Sequence, residues 1–247
     1  EMERLSMSLA GRIAVVTGAA HGIGTAIADV LAADGARVHR VDKEPTARDG
    51  SALTAADLSD PSAVSNFFTA VGPVDILVNT AGGVVGQVGR PLEEVPEEDW
   101  HAVVDANLTT MFLCTRAVVP AMKRRGWGRI INISSGAGLT VSKTGIQAYA
   151  SAKAGQLGFT RQMAHELGHY GITVNCIAPG FILSNPTTQA QWDGYGPDGQ
   201  RALVAGIAMG RIGQPDDIAN GVSFFASEKS GWVTGQVIAI NGGSAFQ

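Results

Sequence analysis

A chain of 247 residues that is 45% hydrophobic and only 16% charged can bury a sizeable core, which excludes a disordered polymer. A net charge of −4, a pI of about 5.7 and the lack of any basic stripe argue against a nucleic-acid partner. Apolar runs such as residues 13–16 are too short to cross a bilayer, and residues 1–9 lack the apolar region of a signal peptide.

In chain order, residues 12–17 read as a strand, and residues 23–33 as a helix closed by Gly35. Residues 37–41 form a second predicted strand. Only 14 residues separate Asp42 from Asp57, and they include Pro45 and Gly50, so a loop or single turn is expected there. Strands follow at residues 74–79, 129–133, 173–177 and 237–240. Helical patterns cover residues 100–125, 147–167 and 215–227. Continuous apolar strands separated by helices predict an α/β fold with both sheet faces covered. The expected architecture is one Rossmann-like domain over residues 1–247, a doubly wound parallel sheet of about seven strands with helices on both faces. Cys114 and Cys176 stand alone in apolar segments, as buried small hydrophobes of a reducing compartment do. The cytoplasm is the expected location.

The first strand runs into Thr17-Gly18-Ala19-Ala20-His21-Gly22-Ile23-Gly24 and then a helix. Glycines there allow a sharp turn and close approach to a pyrophosphate, and the free N–H groups of the helix start face the anion. Asp42 ends the second strand, 18 residues beyond Gly24. An acid at that place accepts hydrogen bonds from the adenosine ribose hydroxyls and repels a 2′-phosphate, which favours NAD over NADP. Arg40 and Lys43 are nearby cations that oppose this preference.

Tyr149-Ala-Ser-Ala-Lys153 opens the helical pattern at residues 147–167. Residues i and i+4 share a helix face, so phenol and ammonium can enter one site. A positive charge about 4 Å away at an effective dielectric of ~20 favours the phenolate by about 4 kcal/mol before desolvation opposes it. That would bring a tyrosine toward the working range of a general acid–base.

With these segments, Asp57-Leu58, Asn79-Thr80-Ala81-Gly82, Asn107, Ile133-Ser134-Ser135, residues 175–180, Thr234-Gly235 and Gly242-Gly243, the chain resembles a short-chain dehydrogenase/reductase over nearly its whole length. The resemblance implies hydride transfer between a nicotinamide cofactor and a carbonyl/alcohol pair. By the same resemblance Ser135, rather than Ser134, polarises the carbonyl oxygen, and Tyr149 gives or takes the hydroxyl proton. Lys153 lowers the Tyr149 pKa and binds the nicotinamide ribose, and Asn107 holds a water linking Lys153 to solvent. Cofactor contacts are implied at Gly18, His21, Gly22, Ile23, Gly24, Asp42, Asp57, Leu58, Asn79, Ala81, Gly82, Tyr149, Lys153, Pro179, Gly180, Ile182 and Ser184. Thr80 stands where the family usually has a second asparagine.

Residues 181–212 are the expected substrate lid. Phe181 to Gln200 holds no lysine or arginine, but does hold Phe181, Trp192 and Tyr195. With Val141 and Gln147 these are the candidate substrate contacts, which suits a neutral, partly apolar ketone or secondary alcohol. Trp192 and Tyr195 could instead pack the lid down. Lys143 and Arg90 are the cations in other loops that could reach the pocket. The alternative activity is an NADP(H)-dependent reductase of 3-oxoacyl thioesters. The small and apolar residues on the helices at residues 100–125 and 147–167, with the resemblance, imply a homotetramer paired through them.

Two other readings compete. His165-Glu166-Leu167-Gly168-His169 fits the H-E-x-x-H helix of zinc hydrolases, with His165 and His169 as ligands and Glu166 as base. No histidine follows His169 to complete the set, so no metal is expected. A non-catalytic NAD sensor is the other; the presence of serine, tyrosine, lysine and asparagine together argues against it.

Overall fold

The computed structural model describes residues 8–43, 52–142 and 144–246. Residues 1–7, the loop residues Pro45 and Gly50, and Lys143 therefore lie outside the described residues. Strands β1 (Ile13–Thr17), β2 (Arg37–Asp42), β3 (Leu53–Ala55), β4 (Ile76–Asn79), β5 (Gly128–Ile133), β6 (Ile172–Pro179) and β7 (Val237–Ile240) form one sheet. All neighbours are parallel and the order is β3-β2-β1-β4-β5-β6-β7. The helices are α1 (Gly22–Ala33), α2 (Pro61–Val71), α3 (Glu97–Val104), α4 (Thr110–Arg125), the short α5 (Gly136–Leu139), α6 (Gln147–Leu167), α7 (Pro186–Gly194), α8 (Gly196–Ala205) and α9 (Pro215–Ala226).

Strand alternation divides the core into two layers. Ala14 and Val16 of β1, Ile76 and Val78 of β4, and Ile131 and Ile133 of β5 pack with Ile27 and Leu31 of α1 and Ile218, Val222 and Phe225 of α9. On the other face Val15, Leu77, Ile130 and Val174 meet Phe67 and Phe68 of α2, Leu113, Val118 and Met122 of α4, and Leu167 of α6. Strand order reverses between β1 and β4, so their carboxyl ends open a crevice.

Three elements differ from the expectations. Helix α2 is additional: Asp60 caps it by accepting from the Ser62 N–H, Pro61 occupies its first turn, and Val64, Phe67 and Phe68 bury one face. The short strand β3 extends the sheet beside β2 within the segment expected as loop. The predicted helix at residues 100–125 begins at Glu97 and is interrupted by a π-helical turn, Asp105–Thr109. The stretch Glu97–Arg125 is long and apolar enough, by length and composition, to cross a membrane, contrary to the reading from shorter runs. Its Met111, Leu113, Cys114, Val118 and Met122 are buried, most of them in the core on this face of the sheet, as in a core helix.

Candidate active site

A cleft of about 1390 Å³ opens over the carboxyl ends of β1 and β4. Thr17 at the end of β1 is fully buried, and its Oγ1 accepts from the N–H groups of Thr80 and Ala81, both at 3.0 Å. This ties the loop after β1 to the loop after β4. Gly18 has φ +64°, and a Cβ there would stand 2.8 Å from the Ala81 backbone. A Cβ at Gly24 would lie 2.0 Å from the Gly18 oxygen. At Gly22, φ +57°, it would lie 2.1 Å from the Ser184 oxygen. The N-cap of α1, His21, makes no side-chain capping bond, and the first turn holds no acid. The helix-start amides are thus left for an anion, and the residues fit a dinucleotide pyrophosphate. Gly18, His21, Ile23 and Gly24 line the cleft, whereas Gly22 packs against Ser184.

Asp42 lines the cleft with Oδ2 accepting from the Ala20 N–H (3.0 Å) and Oδ1 from the Lys43 N–H (2.7 Å). Both suspected cations are engaged: Lys43 pairs with Asp57 at 2.8 Å and Arg40 with Asp29 at 2.5 Å. Asp57 also accepts from the N–H and hydroxyl of Ser59. Its hydrogen bonds to Lys43 and Ser59 hold its pKa down at about 2. Leu58, Ala81, Gly82, Pro179, Gly180, Ile182 and Ser184 all line the cleft. Asn79 is a correction: its side chain turns into the core, donating to Asn132 (2.9 Å) and Thr115 (3.3 Å), and does not reach the cleft.

Ser134, Ser135, Tyr149 and Lys153 meet in the same cleft. The Ser134 hydroxyl is spent on the Lys153 carbonyl (2.9 Å), while Ser135 caps α5 and hydrogen-bonds Tyr149. Lys153 is buried, lies 5.5 Å from the Tyr149 ring centre and donates to the Ile133 carbonyl at 2.9 Å. Desolvation pulls its pKa down to about 8, opposed by the nearby Cys176. Withdrawal from water raises the Tyr149 pKa and the Ser135 bond opposes it. In this state desolvation, rather than the lysine charge, dominates the phenol, contrary to the simple two-charge reading. Asn107 sits in the π-turn, fully buried and away from the cleft lining. Its side chain donates to the Gly83 and Val103 carbonyls and accepts from the Gly83 N–H. Its own carbonyl accepts from Gln156 Nε2 at 3.1 Å. The side-chain amide thereby braces the Gly82-Gly83 loop.

Of the candidate substrate residues, Phe181 lines the cleft. Val141 is 92% exposed and lies off it. Gln147 is tied into neighbouring loops, donating to the Arg90 carbonyl. Trp192 and Tyr195 pack beside Phe181, with ring centres 6.1 and 6.0 Å away, and are not part of the cleft lining. Trp192 instead lines a separate cavity beside α8. Arg90 pairs with Asp99 at 2.7 Å. Residues that the motifs do not reveal include Gln87 and Gln156, both buried; Gln156 lies on the Tyr149–Lys153 side of α6. At the other end of α6 the helix ends at Leu167, and His169 lies in a 3-10 turn stacked on Tyr170. Among the described residues no group of three His, Cys, Asp or Glu could hold a metal.

Hydride exchange with a nicotinamide requires room for a dinucleotide and a proton-transferring group in reach of it. The comparisons agree with a cleft that offers both: the protein is an NAD(P)-dependent oxidoreductase acting on CH–OH and C=O groups. A family model described as enoyl-(acyl carrier protein) reductase matches residues 18–245. The chain is 38% identical over 250 residues to 3-oxoacyl-(acyl-carrier-protein) reductase FabG of Vibrio cholerae, covering 96% of this chain and 98% of the relative. It is 40% identical over 252 residues to nodulation protein G of Azospirillum brasilense, covering 96% and 99%. A crystal structure of a putative NAD(P)-dependent gluconate 5-dehydrogenase from Beutenbergia cavernae, with NADP bound at low occupancy, superposes with a TM-score of 0.86 at 33% identity. That match covers 97% of this chain and 98% of the other. The chain belongs to the short-chain dehydrogenase/reductase family.

Proposed function

We propose that the protein interconverts a neutral, partly apolar secondary alcohol and its ketone, with NAD(H) preferred to NADP(H). The observation that carries the reading is the Ser135–Tyr149–Lys153 set in the cleft that also holds the glycine cradle. Ser135 donates to the substrate oxygen. Tyr149 takes the hydroxyl proton in oxidation and returns it in reduction. The buried Lys153 ammonium favours the phenolate and would hold the nicotinamide ribose, and Asn107 would hold a water that links Lys153 to solvent. A nicotinamide bound there would supply the hydride-transfer chemistry. Residues 181–212 act as the lid within a single domain, since α7 contributes Pro186, Thr187, Thr188 and Gln191 to the cleft wall. Cys114 and Cys176 are buried free thiols, in keeping with a cytoplasmic protein.

The NAD preference rests on Asp42, fixed by the Ala20 and Lys43 amides, and on the pairing of Lys43 and Arg40 with acids. The expected result is a kcat/KM at least tenfold higher with NAD than with NADP; an equal or better NADP would shift control of the ribose pocket to Lys43, Arg40 or His21. Similarity to FabG supports a second reading, NADP(H)-dependent reduction of 3-oxoacyl thioesters. A panel of size-matched neutral and anionic carbonyls, with a 3-oxoacyl thioester included, separates the two. Preference for neutral members supports the first reading, and preference for the thioester the second.

The working unit is proposed to be a homotetramer. Phe112 and Arg116 on α4 are exposed, and Ser151, Ala154 and Gly158 give α6 an outward face of small residues. The edge strand β7 carries the exposed Ile238, and near it Trp232 is 99% exposed. Light scattering at micromolar concentration is expected to give four times the monomer mass, and a stable monomer would overturn the proposal.

A further inference from the structure

Gln87, in the loop between β4 and α3, has no exposed surface. Its Nε2 donates to the Gly145 carbonyl at 3.1 Å and to Gln147 Oε1 at 2.9 Å. Gln147 in turn donates to the Arg90 carbonyl at 2.8 Å. The Gly89 N–H donates to the Thr144 and Gly145 carbonyls at 3.0 and 3.1 Å. At Gly145, φ +58°, a Cβ would stand 3.1 Å from the Gly89 backbone, so the two loops meet backbone to backbone. Among the described residues the buried Gln87 Oε1 meets no hydrogen-bond donor. These contacts clamp the loop of residues 84–90 to the loop that enters α6 just before Tyr149.

The same clamp carries the cleft wall. Val84, Val85, Val88 and Ile146 line the cleft. Val85 is held at φ +47°, and among the described residues no other non-glycine has a positive φ. A β-branched residue disfavours that region strongly. Val85 is also 54% exposed and Val88 50%, so core packing does not account for the conformation. The strained backbone of Val85 sits where its side chain lines the cleft.

We propose that Gln87 is a positioning residue for substrate selection: it holds Val85 and Val88 as a fixed apolar wall, on which the non-reacting group beside the substrate carbonyl rests. The inference builds on the reading of the Tyr149 cleft as the carbonyl site, and it assigns the substrate a compact apolar substituent. The test uses secondary alcohols from 2-propanol to 1-phenylethanol with the intact protein. Gln87→Leu is expected to raise KM for 1-phenylethanol about tenfold, change kcat less than threefold and leave KM for the cofactor alone. Gln147→Leu should reproduce this, and the double variant should be no worse than either single. Val85→Gly should raise KM similarly while Tm holds or climbs, because glycine adopts that φ freely; a merely structural valine would lower Tm and spare KM. If Gln87→Leu fails to fold, the Gln147 and Val85 variants decide. An unchanged KM in Val85→Gly, additive effects in the double variant, or an equal rise in the cofactor KM overturns the proposal. Full turnover by Tyr149→Phe would instead refute the underlying reading, so the two failures are distinguishable.

Discussion

Tyr149→Phe is expected to lower turnover by ~10²–10⁴-fold while leaving fold and cofactor affinity close to wild type. The substitution removes one hydroxyl from a half-buried ring, and with it the hydrogen bond to Ser135. A neutral hydrogen bond of that kind contributes about 1 kcal/mol to stability, too little to unfold the chain. The ring continues to fill its place on α6, and the glycine cradle lies on β1 and α1, so cofactor binding measured by fluorescence should be unchanged. The outcome that would remove Tyr149 from the chemistry is a variant with turnover within threefold of wild type.

Lys153→Met should separate catalysis from stability. Turnover is expected to fall by about 10²–10³-fold, as for other buried electrostatic groups. Stability at pH 7 should rise. The folded-state pKa of Lys153 is depressed from 10.5 to about 8, so between those values the folded protein binds fewer protons than the unfolded chain. Wild-type stability therefore increases as pH rises through that window, and below pH 8 the fold bears a burial penalty of about 3 kcal/mol. Methionine avoids the penalty but forfeits the bond to the Ile133 carbonyl, which costs about 1–3 kcal/mol. The variant should thus melt a few degrees higher at pH 7 and lose that advantage, or fall below wild type, by pH 10.5. A Tm difference that does not change with pH would mean that Lys153 is not a buried, depressed-pKa ammonium.

The parallel sheet is legible in the sequence because its central strands, β1, β4 and β6, are largely apolar runs, as burial on both faces requires. Helix α2 escapes that reading although Asp60-Pro61 is an N-terminal signal and Val64, Phe67 and Phe68 repeat at helical spacing. The π-turn leaves no trace in periodicity, because one extra residue shifts the pattern only slightly. Motif letters bring Tyr149, Lys153, Gly18 and Gly24 to one cleft, since these are fixed by local spacing. They mislead at Asn79, where strand alternation sends the side chain to the face of Leu77 rather than upward to the cleft. Trp192 and Tyr195 cannot be aimed from sequence, because lid composition does not encode which side faces the cavity. Gln87 reads as an exposed glutamine in a glycine-rich loop; its burial arises from partners 58 and 60 residues away.

The most direct test of hydride transfer at this cleft follows the label. A secondary alcohol oxidised by the protein is prepared with deuterium on its carbinol carbon and turned over with NAD. The account predicts that the deuterium appears on the nicotinamide of the reduced cofactor, with none in solvent, and that the Tyr149→Phe variant fails to transfer it at a comparable rate. Deuterium released to water, or ketone formed without reduction of NAD, would contradict it.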